Sequence, residues 1–191
     1  MKTNRLEAFS DGVLAIIITI MVLELKTPEE ITIDGILKLA PVLLSYIISF
    51  IYLGAYWNNH HHLFQITEKV SGKILWANLY LLFWLSLIPF ATSWIGEHYN
   101  SAIPTAFYGF ILLMAAIAYF ILQNTITNNH KNHKSIQESL GSTIKGKISL
   151  ILYALGAAIS FYKPFLGIIC YVAVLLMWFA PEKKIEKTLN Q

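Results

Sequence analysis

Six stretches of this chain are long and apolar enough, or nearly so, to be helices solvated by lipid rather than by water. A bilayer core of about 30 Å takes about 20 mostly apolar helical residues, and only a helix or a closed barrel keeps every backbone polar group bonded there. The stretches run from about Leu6 to Leu25, Ile36 to Trp57, Ile74 to Ile95, Ala106 to Leu122, Ile148 to Tyr162 and Pro164 to Ala180. Composition agrees: 56% of the 191 residues are hydrophobic and 13% charged, where a soluble domain carries about 25% charged residues. Disordered, nucleic-acid-binding and disulfide-stapled secreted classes are poor fits. A net charge of +3 implies no polyanionic partner, and a lone cysteine, Cys170, permits no intrachain disulfide. The expectation is an all-α integral membrane protein, one six-helix transmembrane domain over residues 1–191.

The connections support that count. Lys26 to Gly35 is polar and carries Pro28 and Gly35 as breakers, Gly96 to Ser101 is short and polar, and Gln123 to Lys147 is rich in Asn, His, Ser and Lys. Only Tyr162, Lys163 and Pro164 separate the last two stretches. Proline suits a first helical position and disfavours an interior one, so this is a tight turn between antiparallel helices. Pro41 and Pro89 fall inside the second and third stretches and predict kinks there. With six spans both termini share a side, which holds eleven of the fourteen lysines and arginines; only Lys26, Lys38 and Lys163 lie opposite. That split puts both termini in the cytoplasm, with Glu24, Glu29, Glu30, Asp34 and Glu97 collected outside. Asp11 interrupts the first apolar run and no small-residue cleavage site follows, so the first helix is expected to stay in the mature protein.

The first helix opens with Arg5, Glu7, Ser10 and Asp11 and then turns apolar, with Thr19 its only polar side chain between Gly12 and Leu23. At 100° per residue, Arg5, Phe9, Gly12, Ile16, Ile20 and Leu23 share one stripe, with Thr19 on its edge. Asp11 lies about 140° from Ile16, on a second stripe with Ala15, Ile18 and Val22. A carboxylate within a span costs about 2.5–3.5 kcal/mol unless it is paired or wet. Asp11 therefore sits at the cytoplasmic interface or has a partner in the bundle. By spacing alone the aliphatic stripe is lipid-facing or core packing.

The run Arg5-Leu6-Glu7-Ala8-Phe9-Ser10-Asp11, followed by Ala15-Ile16 and Thr19, reads R-x-x-x-F-S-D-x-x-x-A-I-x-x-T. It resembles the signature of the transmembrane protein 175 family, potassium-permeable channels of lysosomes and bacteria. The signature occurs once, so the chain resembles a bacterial single-repeat subunit rather than the two-repeat animal members. The resemblance implies a homotetramer whose first helices line a central pore in the lipid bilayer. It implies a hydrophobic constriction at Ile16, with Ile20 and Leu23 on the next turns and Thr19 bearing on cation discrimination. Permeant potassium would pass transiently near Ile16 and Thr19, and no cofactor is implied. Arg5, Phe9, Ser10 and Asp11 would lock the first helix to its neighbours. Rings of Ile16, Ile20 and Leu23 would be narrow and apolar enough to gate by dewetting. A dry constriction favours potassium, which holds its water less tightly than sodium. No threonine-valine-glycine-tyrosine-glycine filter is present.

Trp57-Asn58-Asn59-His60-His61-His62 offers three readings: a metal site, a helix end meeting headgroups, or a hydrogen-bond network with Asp11 or Ser10. Trp57 and His61 are the expected partners in the last. His130 and His133 stand among lysines and read as solvated. Asn78, Tyr80, Ser86, Thr92 and Ser93 give the third helix points for interhelical bonds. Gly156, Ala157, Ala158 and Gly167 permit close approach in the last hairpin, and Trp76, Trp94, Tyr99 and Trp178 read as interface anchors. No hydrolase, phosphate-loop or metalloprotease motif occurs, so the chain is not expected to be an enzyme. The functional expectation is a potassium-selective cation channel. The alternative is a proton-coupled membrane carrier using Asp11 and the His60–His62 cluster.

Overall fold

The computed structural model describes residues 3–65, 67, 69–129 and 144–179. The described residues form helices and their connections: α1 (Thr3–Leu23), α2 (Ile33–Lys38), α3 (Ala40–Gln65), α4 (Gly72–Ser86), α5 (Ile88–Glu97), α6 (Ala102–Asn129), α7 (Ile144–Ser160) and α8 (Pro164–Phe179). The all-α expectation therefore holds. Among the described residues four segments are long and apolar enough to cross a membrane: Thr3–Leu23, Ala40–Gln65, Gly72–Glu97 and Ala102–Asn128. At 17 and 16 residues α7 and α8 are shorter than the usual span. They pack on each other as a hairpin, turned where the Tyr162 and Lys163 amides both donate to the Ile159 carbonyl at 2.9 Å.

The second stretch departs from expectation at both ends. Its first residues form the separate helix α2, capped where the Thr32 side chain accepts from the Gly35 amide at 3.1 Å. Pro41 is then the second residue of α3, a position where its missing N–H costs nothing, and it opens the helix instead of kinking it. At the other end α3 runs on past Trp57 to Gln65. The polar run that suggested an end there is helical because its side chains find partners on α1 and α4. Similarly, α6 extends to Asn129 through threonines that bond back to carbonyls four residues earlier, Thr125 to Ile121 at 2.7 Å and Thr127 to Gln123 at 2.9 Å. Pro89 does break its stretch, into α4 and α5 about Leu87. His130, Lys131, His133, Lys134 and the basic tail beyond 179 lie outside the described residues.

Helix α6 is the centre of the packing and touches α4, α5, α7 and α8, whereas α1 packs mainly on α3, α4 and α5. Ser49 of α3, Thr92 of α5 and Tyr108 of α6 are buried and tied by hydroxyl contacts of 2.7 and 2.8 Å. Small residues set the α7–α8 crossing. A Cβ on Gly167 would collide with the Ser160 hydroxyl and lie 2.8 Å from the Gly156 carbonyl oxygen, and one on Gly156 would lie 2.5 Å from the Tyr171 ring. The helix α1 thus sits at one margin of the fold and the α7–α8 hairpin at another.

Candidate functional site

The side chains that carry information lie on α1 and on the two helices that grip it. Leu6, Ser10, Leu14, Ile17 and Met21 make up its buried face, none more than 4% exposed. This is neither of the stripes that spacing singled out. The stripe with Asp11 is a margin: Asp11 and Ile18 are half-buried, whereas Ala15 and Val22 are exposed. The correction has a simple cause. From Gly12 to Leu23 the helix is apolar on nearly every side, so periodicity cannot separate the face that meets protein from the faces that meet lipid or a further subunit.

The stripe of Arg5, Phe9, Gly12, Ile16, Ile20 and Leu23 is exposed along its whole length. Phe9 is 51%, Ile16 59%, Ile20 40% and Leu23 79% exposed. Thr19 is exposed too, and its hydroxyl donates to the Ile16 carbonyl at 2.9 Å. The hydroxyl proton is thereby turned onto the backbone, which leaves the oxygen lone pairs facing outward as acceptors. Beside the stripe a groove between α1 and α5 has Ile16, Ile20 and Phe90 in its walls and Glu24, Lys26 and Glu97 at its rim. Lys26 and Glu97 are paired there at 2.6 Å, and that carboxylate holds the Lys26 ammonium above its usual range.

On the inner side, polar groups at matched spacings fasten α1 to α3. The Trp57 indole N–H donates to Asp11 Oδ1 at 3.0 Å, and His61 Nδ1 meets Glu7 Oε1 at 2.7 Å. Gln65 holds the other nitrogen of His61 at 2.9 Å, and the Trp57 and His61 rings stack one turn apart. The expectation that His61 would reach Asp11 or Ser10 is therefore corrected: its partner is Glu7. Sequence reasoning passed over Glu7, although the signal existed. Glu7 and Asp11 are four apart on one helix, His61 and Trp57 four apart on another, and antiparallel packing puts each pair in register.

Ser10 turns instead toward α4. Its hydroxyl donates to the Leu6 carbonyl at 2.9 Å and accepts from the Asn78 amide at 2.9 Å. The other side of that amide, Oδ1, lies 2.7 Å from His60 Nε2, which must therefore carry the ring proton. Ser10, Asn78 and His60 are all buried, and His60 Nδ1 has no partner among the described residues. Arg5 and Phe9 stay apart from these contacts and lie on the exposed stripe. No three His, Cys, Asp or Glu side chains converge as a metal site among the described residues, where Asp11 bonds to Trp57 and the bonds of His60 and His61 go to Asn78, Glu7 and Gln65.

Residues 5–89 match the family model described as the endosomal/lysosomal potassium channel TMEM175. The chain is 54% identical, over 100% of both lengths, to a potassium channel of a Chryseobacterium species. It is 33% identical over 127 residues to a potassium channel of Chamaesiphon minutus, covering 62% of this chain and 63% of that one. A crystal structure from Chamaesiphon minutus, described as a lysosomal potassium-selective channel TMEM175 homolog, superposes with a TM-score of 0.80. The two share 26% identity, over 92% of this chain and 95% of that one.

Proposed function

This chain belongs to the TMEM175 family, and from that premise we propose that it is a potassium-selective cation channel. The subunit is one six-helix transmembrane unit in a bacterial inner membrane with both termini cytoplasmic, and four copies enclose a pore lined by α1. The observation that carries this reading is the exposed stripe of α1. A helix gripped on one side by a buried apolar face and two sets of polar contacts still leaves Phe9, Ile16, Thr19, Ile20 and Leu23 open along its length. That is the geometry a pore helix needs from its own subunit.

Around a four-fold axis the stripe forms stacked rings. Ile16 is the constriction, with Ile20 and Leu23 on successive turns, and apolar rings of that width exclude water until they part. A cation passing Ile16 loses part of its hydration shell. The Thr19 oxygens, whose protons are turned onto the Ile16 carbonyl, offer their lone pairs as partial replacement. Potassium sheds water more readily than sodium, so a dry ring with few oxygens discriminates modestly without a carbonyl filter. The Glu7–His61 and Asp11–Trp57 contacts, with the Ser10–Asn78–His60 chain, hold α1 at the angle that presents the stripe.

Reconstituted protein in a planar bilayer under opposed potassium and sodium gradients tests the proposal. Unitary currents reversing toward the potassium equilibrium potential are expected. Ile16→Asn should preserve assembly and raise current at rest, because a polar ring rewets the constriction. Wild-type conductance in that variant would remove Ile16 from the pore. Slow, saturable flux driven by a proton gradient, with no unitary current, would replace the channel by a carrier.

A further inference from the structure

On the side of the subunit away from α1, a cavity of about 100 Å³ lies between α3, α6, α7 and α8. It is near the end of the bundle that carries His60 and Gln65. Protein interiors normally close such gaps. Here Ala55, Ala116 and Gly146 meet from three helices, and none has the bulk to fill the space. The rest of the wall is unusually aromatic: Tyr52, Tyr56, Tyr119, Phe120, Tyr153 and Trp178. Conduction along α1 uses none of them.

Two polar groups in this wall have no hydrogen-bond or ion-pair partner among the described residues. The Tyr56 hydroxyl makes no hydrogen bond among the described residues, although other polar groups nearby are engaged. Ser149 accepts from the Trp178 indole at 3.0 Å and donates to the Lys145 carbonyl at 2.8 Å, and Asn59 donates to the Ala55 carbonyl at 2.8 Å. Lys147 lines the cavity, is exposed, and forms no ion pair among the described residues. The site thus combines an aromatic interior, a free phenol donor and a free ammonium where the cavity meets the surface.

We propose that this cavity is a binding site for a small aromatic carboxylic acid, with the ring among the tyrosines and the carboxylate at Lys147. Size argues for one ring and against a two-tailed lipid, since a cavity of about 150 Å³ holds benzene. The enclosed part here is somewhat smaller, and the open side at Lys147 lets the acid group protrude. Ring edges and faces on the wall favour an aromatic guest over an alkyl chain, because quadrupoles align in edge-to-face contacts. The Tyr56 hydroxyl and the Lys147 ammonium can both donate to an anion, and the ammonium repels a cation.

Trp178 lies in the wall and reports occupancy. The probe is 4-bromobenzoate, whose bromine quenches tryptophan on contact, added to the full chain in phosphatidylcholine nanodiscs. Saturable quenching is expected, absent in Trp178→Phe and weakened at least tenfold by Ala116→Phe, which fills the cavity. Ala116→Val is the milder filling variant if the phenylalanine prevents folding. Lys147→Gln should weaken 4-bromobenzoate several-fold while leaving 4-bromobenzyl alcohol unchanged. Quenching that rises linearly, or that is the same in Ala116→Val and wild type, would mean partition into lipid and overturn the site. Displacement by octanoate at lower concentration than by benzoate would overturn the aromatic assignment, and quenching by brominated phosphatidylcholine that benzoate does not relieve would give the cavity to a lipid chain.

Discussion

Replacing Asn78 by leucine tests whether the polar chain across α1, α3 and α4 fastens the first helix. Asn78, Ser10 and His60 are each no more than 1% exposed. The amide spans them with contacts of 2.9 Å to Ser10 and 2.7 Å to His60. The two losses are unequal. Ser10 keeps its bond to the Leu6 carbonyl, so its side is worth the membrane average of about 0.6 kcal/mol. His60 is worse placed: with Nδ1 already unpartnered, Asn78→Leu strands the whole imidazole in an apolar site. A buried group left unsatisfied costs about 1–3 kcal/mol. Together the substitution should destabilise the fold by about 2–4 kcal/mol. Equilibrium unfolding in mixed micelles with rising dodecyl sulfate measures it. His60→Leu in the same chain supplies the decisive comparison, because removing both partners leaves nothing stranded. The double variant should recover at least about 1 kcal/mol of the summed single losses. A near-neutral Asn78→Leu, or strict additivity in the cycle, would refute the reasoning.

Trp57→Phe keeps the ring stacked on His61 and removes only the indole N–H that serves Asp11; a loss of about 1 kcal/mol in the same titration is expected. Glu7→Gln retains the volume and removes the carboxylate oxygen that meets His61, and should cost about 1 kcal/mol in the same titration. Gly167→Ala drives a methyl group into the Ser160 hydroxyl and the Gly156 carbonyl, and should cost about 1–3 kcal/mol through a forced separation of α7 and α8. The Lys26–Glu97 pair raises the proton affinity of the ammonium, so its stabilisation is complete below the ordinary lysine value of 10.5 and disappears only as pH rises beyond it. Unfolding midpoints of wild type and Lys26→Gln should therefore keep a constant difference from pH 6 to 9.

Much of this arrangement could be read from residue order. Among the described residues hydropathy pointed to the long apolar helices, Pro89 to a distortion and Pro164 to a turn, and a rotation of 100° per residue assembled the stripe that proves exposed. What order could not supply was register between helices. Glu7 and His61 are 54 positions apart, and only the antiparallel contact of α1 with α3 selects that pair over Asp11 with His61. The buried face of α1 was hidden for a different reason. In water, apolar means inside; in lipid, leucine and isoleucine are equally comfortable on either side, so Leu14 and Ile17 carry no mark that distinguishes them from Ile16 and Ile20. The polar residues carried the orientation, since Ser10 points inward with Leu14 and Ile17 and could have served as the index.

The open stripe on α1 bears on how such a subunit is made safely. A lone chain in the bilayer incurs no penalty for Ile16, Ile20 and Leu23, since lipid tails solvate them as well as protein would. In the proposed tetramer, two or three subunits brought together would still find tails filling the gap beside Ile16, Ile20 and Leu23, because those side chains attract no water. An incomplete ring would then be plugged by lipid and electrically silent. Only closure of the last contact would squeeze the tails out and leave a column that ions can enter. On that proposal the solvent itself would prevent leak during biogenesis, with no separate guard on the half-built assembly.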